Sequence, residues 1–257
     1  MTMRTLALFG ILLSIFVPPA LAQSRNASFT KGNEAYVAAA KAEGEAAVTG
    51  YRTAADNYRA AIAESGDSWA AHFNLGNALF KLGYYGEAVL EYERAEAIDP
   101  LRPETALNLA VARQAAGLAP QRPQGWIETL GLRLPLNAWL WATAVGGWGF
   151  LALLILPLLH GGHKLVTVTG TVTMFALACC AALGVMGWHL HAQWRIVTTA
   201  DAALRSAPDQ DASSLRTMKA GTGVKTMRSY EDWLFVTTEQ SDQGWIYAEN
   251  ATQVWNR

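Results

Sequence analysis

Between Trp69 and Arg102 the chain places small and apolar residues at a spacing that a helix–turn–helix of fixed length satisfies. With Trp69 as position one, Leu75 and Gly76 fall at seven and eight, Ala88 at twenty, Tyr92 at twenty-four, Ala95 at twenty-seven and Pro100 at thirty-two. Such a unit needs a packing leucine, a small residue where its helices cross, further apolar contacts and a proline that stops the second helix. One helical hairpin cannot bury its apolar face alone, so copies are required on both sides. Upstream, Phe29, Gly32, Asn33 and Tyr36 repeat Phe73, Gly76, Asn77 and Phe80 at an offset of 44 residues. Tyr51, Ala54, Tyr58 and Ala61 repeat Tyr85, Ala88, Tyr92 and Ala95 at an offset of 34.

The unit resembles a tetratricopeptide repeat, and the two offsets place a ten-residue insertion between the helices of the first copy, within Val37 to Gly50. That insertion either lengthens the hairpin or loops out, and Gly44 and Gly50 argue against one unbroken helix. Downstream, Pro103 to Gly117 supplies another first helix, with Leu109 and Ala110 at positions seven and eight, before Leu118-Ala-Pro interrupts the pattern. The array, residues 23–118, is therefore two and a half repeats, about the minimum that holds a solenoid together.

Ahead of the array, residues 1–22 have the anatomy of a secretory signal peptide: Arg4, an apolar run to Val17, two prolines and Ala20-Leu21-Ala22. An uncleaved membrane anchor is the alternative, and either would export the array. Of all 257 residues, 51% are hydrophobic and 16% charged, and the net charge of −1 gives no field to gather nucleic acid. The two cysteines, Cys179 and Cys180, are adjacent in an apolar run and suggest neither a disulfide framework nor a zinc site.

Residues 119–135 form a linker with three prolines, in which Trp126, Ile127, Leu130 and Leu134 either share one face of an interfacial helix or are scattered sticky residues. Two apolar runs come next, 136–159 and 165–188, each long enough to span a bilayer. Trp139 and Trp141 suit a headgroup belt, and small pairs four apart (Ala142 and Gly146, Cys180 and Gly184) permit close helix contact. The cysteines read as small packing residues of that kind. His160 and His163 flank the tip, and His189 and His191 lie past the far end of the second run. The two pairs stand a membrane thickness apart, with no acidic partner nearby to orient an imidazole, so no metal site or cofactor is expected.

From Arg195 onward, short β-rich runs alternate with turns. The order Ala203-Leu-Arg-Ser-Ala-Pro208, Leu215, Lys219-Ala-Gly221, Val224, Trp233-Leu-Phe-Val236 and Gly244-Trp245-Ile246 resembles a bacterial SH3 domain, placed at residues 195–257. Trp233 and Trp245 either line a peptide or cell-wall groove or belong to the core. The expected fold is thus a multidomain membrane protein: an α-helical tetratricopeptide solenoid, a two-helix transmembrane hairpin and a small all-β SH3-like barrel.

This order of parts, with its paired Phe-x-x-Gly-Asn openings, resembles the E-type proteins of bacterial aerotolerance (Bat) operons. The resemblance implies a two-pass protein of the bacterial inner membrane, with the array and SH3 domain on the periplasmic side. It also implies company, a MoxR-type ATPase and von Willebrand A-domain membrane proteins, and no catalytic residues. No nucleophile–base pair, phosphate loop or metal quartet is legible, so an adaptor is expected, with a peptidoglycan-binding module as the alternative and an enzyme as the least favoured class. The candidate peptide groove comprises Phe29, Asn33, Phe73, Asn74, Asn77 and Asn108. Its asparagines recur at positions nine and six of successive repeats and offer donors and acceptors to an extended main chain. Otherwise they cap turns or solvate the concave face. Phe29 and Phe73 stand where a carboxylate-gripping lysine would be needed, so an internal apolar segment is the expected ligand.

Overall fold

The computed structural model describes residues 27–121, 124–160 and 164–255. The expected signal peptide and the tip of the apolar hairpin, with His163, lie outside these residues.

Five helices build the array: α1 (Ala27–Ala39), α2 (Gly44–Ser65), α3 (Trp69–Lys81), α4 (Tyr85–Ile98) and α5 (Pro103–Ala115). Their ends are set by local chemistry. The Ser68 hydroxyl accepts from the Ala71 N–H and caps α3, and Pro103 opens α5, where no intrahelical donor is required. What locks each pair together is a small residue beneath an aromatic one. A Cβ added at Gly76 would come 2.8 Å from the Tyr92 ring, and one at Gly32 would come 2.7 Å from the Tyr58 ring. Only a glycine at position eight lets the tyrosine at position twenty-four lie flat across the helix crossing. Both tyrosines are buried there, with Ala54, Leu75, Leu79, Ala88 and Val89 around them.

The ten-residue insertion is helical. α2 has 22 residues against 14 in α4, so about two additional turns precede Tyr51. The expectation against one unbroken helix holds at Gly44, since the helix breaks between Ala39 and Gly44, and is corrected at Gly50. Gly44, at a φ of 60°, begins α2, whereas Gly50 sits inside it, where a Cβ would meet Ala39 at 2.7 Å. Gly50 is the contact that lets the extra turns brace the end of α1.

A short helix, α6 (Trp126–Gly131), leads to α7 (Leu136–His160) and α8 (Lys164–Ala192). Leu130 joins a cluster with Trp139, Ala181 and Trp188, while Trp126 and Leu134 remain exposed, so the linker's apolar residues do not share one face. Leu136–Ile155 and Thr167–Ala192 are long and apolar enough to cross a membrane, and only 11% of the most apolar window of each is buried. Gly146 of α7 faces the Ala178 backbone of α8, and Gly184 receives the Trp139 ring. Two expectations are corrected here. Trp139 is buried, donating its indole N–H to the Gly131 carbonyl at 2.8 Å, and leaves the outward role to Trp141. Cys179 and Cys180 face outward instead of packing between the helices.

The C-terminal part is one antiparallel sheet of seven strands: β1 (Trp194–Val197), β2 (Ala202–Arg205), β3 (Ser214–Met218), β4 (Gly223–Tyr230), β5 (Trp233–Thr238), β6 (Gln243–Tyr247) and β7 (Ala251–Gln253). Its order, β3-β2-β6-β5-β4-β1-β7, leaves the ladder open instead of closing it into a barrel. Leu204, Val224, Val236 and Ile246 fill its own core.

This sheet is docked on the array. Ile196 and Val254 belong to the same buried cluster as Leu75 and Val89. Arg113 of α5, with a side chain 1% exposed, donates from two nitrogens to the Glu239 carboxylate at 2.6 and 3.1 Å, and its Nε donates to the Ala119 carbonyl. Arg94 of α4 donates to the Gln253 carbonyl, and Lys219 donates to the Gly117 carbonyl. The sheet thereby packs on α4 and α5 at the C-terminal end of the array.

Candidate functional site

The four asparagines of the expected groove lie inside the first helix of each repeat, not at caps, and the structure links them in two rungs. The Tyr58 hydroxyl and Asn74 Nδ2 both donate to Asn33 Oδ1, at 2.9 and 3.2 Å. One repeat on, the Tyr92 hydroxyl and Asn108 Nδ2 both donate to Asn77 Oδ1, at 2.7 and 2.9 Å. Each rung therefore joins two helices of adjacent repeats and rests on a tyrosine from the layer beneath. Burial, then the neighbouring Tyr36, pushes the Tyr58 hydroxyl up to about 12, and burial raises Tyr92 as well, so both stay protonated donors at neutral pH.

This geometry fixes what the groove offers. Each central oxygen already accepts two hydrogen bonds, which fills its two lone pairs. What the half-buried Asn33 and Asn77 present further is amide hydrogen, while Asn74 and Asn108, which donate into the rungs, add carbonyl oxygens, so the row offers donors and acceptors together. Phe29 and Phe73 are half-buried. They pack against Tyr58 and Tyr92 with ring centroids 5.7 and 5.8 Å apart, and Phe73 also stacks on Trp69 at 5.0 Å. Sequence reasoning named the asparagines but missed Tyr58 and Tyr92 as their supports, although the 34-residue recurrence of tyrosine opposite glycine carried the signal. A cavity of about 200 Å³ lies at the first rung, lined by Asn33, Tyr36, Val37, Tyr58, Asn74 and Asn77.

On the sheet, Trp233 and Trp245 share one face but are not brought together. Trp233 is buried, pairs with Tyr247 across the strands and meets its ring edge-on at 5.5 Å. Both border a cavity of about 330 Å³ that also has Asp201, Arg205, Gln210 and Asn250 in its walls. Trp245 belongs to a separate group, against Phe235 at 5.3 Å, with the Arg228 guanidinium over both rings. Strand alternation puts all four aromatics on the face opposite Leu234, Val236 and Ile246, and the two-residue stagger keeps the tryptophans in different pairs.

The reading of the histidines is corrected at His191. It is fully buried where α4, α6 and α8 meet, with Nδ1 3.1 Å from Glu128 Oε1 and Nε2 3.9 Å from Glu93 Oε2. Acidic partners do stand beside it, brought from segments 63 or more residues away. Among the described residues, Glu93, Glu96 and His191 hold ligand-type atoms within 4.8 Å of one another, a spacing one cation can bridge.

Comparison with known families finds two matches. The tetratricopeptide repeat matches residues 69–102, and the bacterial SH3 domain matches residues 198–252. No curated protein and no solved structure matches the chain. The chain thus contains a tetratricopeptide repeat and a bacterial SH3 domain, modules of protein interaction and cell-wall binding, joined through two helices apolar enough to cross a membrane.

Proposed function

We propose that this chain is a membrane-anchored adaptor that grips other proteins and catalyses no reaction. Its array and SH3 domain stand on the periplasmic side of a bacterial inner membrane, in a Bat-type complex with a MoxR-type ATPase and von Willebrand A-domain proteins. The observation that carries the reading is the pair of Asn–Tyr rungs. Their remaining amide hydrogens suit the main-chain carbonyls of an extended segment, which recognises a chain without demanding its side chains. The order of modules supports the complex, and the exposed apolar surface of α7 and α8 supports the anchor. No cofactor enters this function.

The test removes the second rung. In Asn77→Ala with Asn108→Ala, capture of A-domain protein and ATPase by the full chain in mild detergent falls at least about tenfold, the loss of one or two charge-free hydrogen bonds and their register. Capture at the wild-type level removes the groove from the account.

A second reading, peptidoglycan binding, is favoured by the cavity beside Trp233 and Tyr247, where an aromatic wall meets Arg205 and Asp201. Sedimentation of the detergent-solubilised full chain with purified sacculi separates the two. Cosedimentation abolished by Tyr247→Ala supports wall binding, and a chain that stays in the supernatant excludes it.

A further inference from the structure

The lengthened first hairpin gives the groove something the second repeat lacks. Tyr36 and Tyr51 form an edge-on pair at 5.2 Å, and Phe80 and Tyr85 form a tilted pair at 5.2 Å one repeat later. The residue after each differs. Val37 stands where the second repeat has Lys81, and α3 stops at that lysine, whereas α1 runs on to Ala39 because the extra turns of α2 support it. Val37 is 53% exposed at the lip of the cavity formed with Asn33, Tyr36, Tyr58, Asn74 and Asn77. An apolar lip thus lies directly beside the amide hydrogens of the first rung, and a cationic residue occupies the corresponding place at the second.

We infer that this cavity is a side-chain pocket that makes the groove selective. It receives one large aliphatic or aromatic side chain from an extended segment of a partner protein while Asn33 and Asn77 hold that segment's carbonyl oxygens. The inference rests on the groove reading above and adds to it the class of residue recognised and the repeat at which it is read. The occupant is an internal stretch of polypeptide, since the groove supplies uncharged donors and not the lysine a terminal carboxylate requires. The cavity, about 200 Å³, has room for one such side chain, and Val37 and the Tyr36 ring supply the surface it covers.

The probe is a set of N-acetylated, C-amidated dodecapeptides of serine and threonine carrying one central leucine, phenylalanine, serine or glutamate. Anisotropy reports their binding to the full chain in detergent. Leucine and phenylalanine peptides bind at least about tenfold tighter than the serine peptide, the worth of one well-buried side chain. Val37→Lys, an exposed change that copies the second repeat and places a cation near a helix C-terminus, removes this preference and favours the glutamate peptide. Asn108→Ala, which loosens the second rung and lies outside the pocket lining, weakens every peptide alike, which separates the groove from the pocket. Equal binding of all four peptides by the wild-type chain, or an apolar preference kept in Val37→Lys, overturns the pocket and leaves the groove standing. Failure of every peptide to bind the wild-type chain overturns both.

Discussion

At the scale of single residues, the array depends on glycine beneath tyrosine and on where that tyrosine's hydroxyl goes. Gly76 has no Cβ because the Tyr92 ring occupies that space, and the ring is placed so that its hydroxyl reaches Asn77. Gly76→Ala therefore forces the ring aside and disturbs the rung with it. We expect a loss of about 1–3 kcal/mol, the usual cost of overpacking, seen as a lower urea midpoint with an unchanged m-value. The buried hydroxyls also set an alkaline limit. Tyr58 titrates at about 12 in the folded chain against an ordinary 10.0, so folding favours its protonated form. The associated stability is complete below about pH 10 and is lost as pH rises from 10 to 12, because the unfolded state releases the proton first. Thermal unfolding midpoints should stay level to about pH 10 and then fall, and the fall should be shallower in Tyr58→Phe.

At the scale of elements, the sheet and the array hold each other in place. The pair between Arg113 of α5 and Glu239 after β5 is nearly solvent-free, and Glu239 Oε1 also accepts the Gly223 N–H at 2.7 Å. Removing one partner leaves the other charge buried, at a cost of about 3–5 kcal/mol. Glu239→Gln should accordingly lower the unfolding midpoint of array and sheet together, as one transition by circular dichroism. Two separated transitions in the wild-type chain would contradict the shared core. Little of this junction was legible in the sequence. The 34-residue recurrence located the hairpins, and period-two runs located the β region, because both signals are local. Arg113 and Glu239 are 126 positions apart and carry no local pattern. The same holds for His191, whose acidic neighbours come from α4 and α6 and are absent from its own stretch. Gly50 misled for a related reason: helix propensity counts glycine as a breaker, while the tertiary contact with Ala39 rewards it.

At the scale of the whole molecule, the helical array and the sheet are joined to one pair of apolar helices. The sheet begins at Trp194, directly after α8 ends at Ala192, and the array returns to α7 through the short α6 that packs on α8. The array and the sheet therefore emerge from the same end of the helical pair, and their shared core fixes them as one body. The groove was partly legible, since asparagine at positions nine and six is a sequence pattern. The tyrosine supports and the Val37 pocket depend on the crossing geometry, as does the packing of the phenylalanines against those tyrosines. The proposed adaptor requires the groove and the aromatic face of the sheet to lie in one compartment. That is tested most directly by labelling Lys41→Cys and Gln210→Cys, each in a chain with Cys179→Ser and Cys180→Ser, using a membrane-impermeant maleimide on intact spheroplasts. Both positions are exposed, and both should label fully without permeabilisation. Labelling of only one, or of neither until the membrane is opened, would contradict the account.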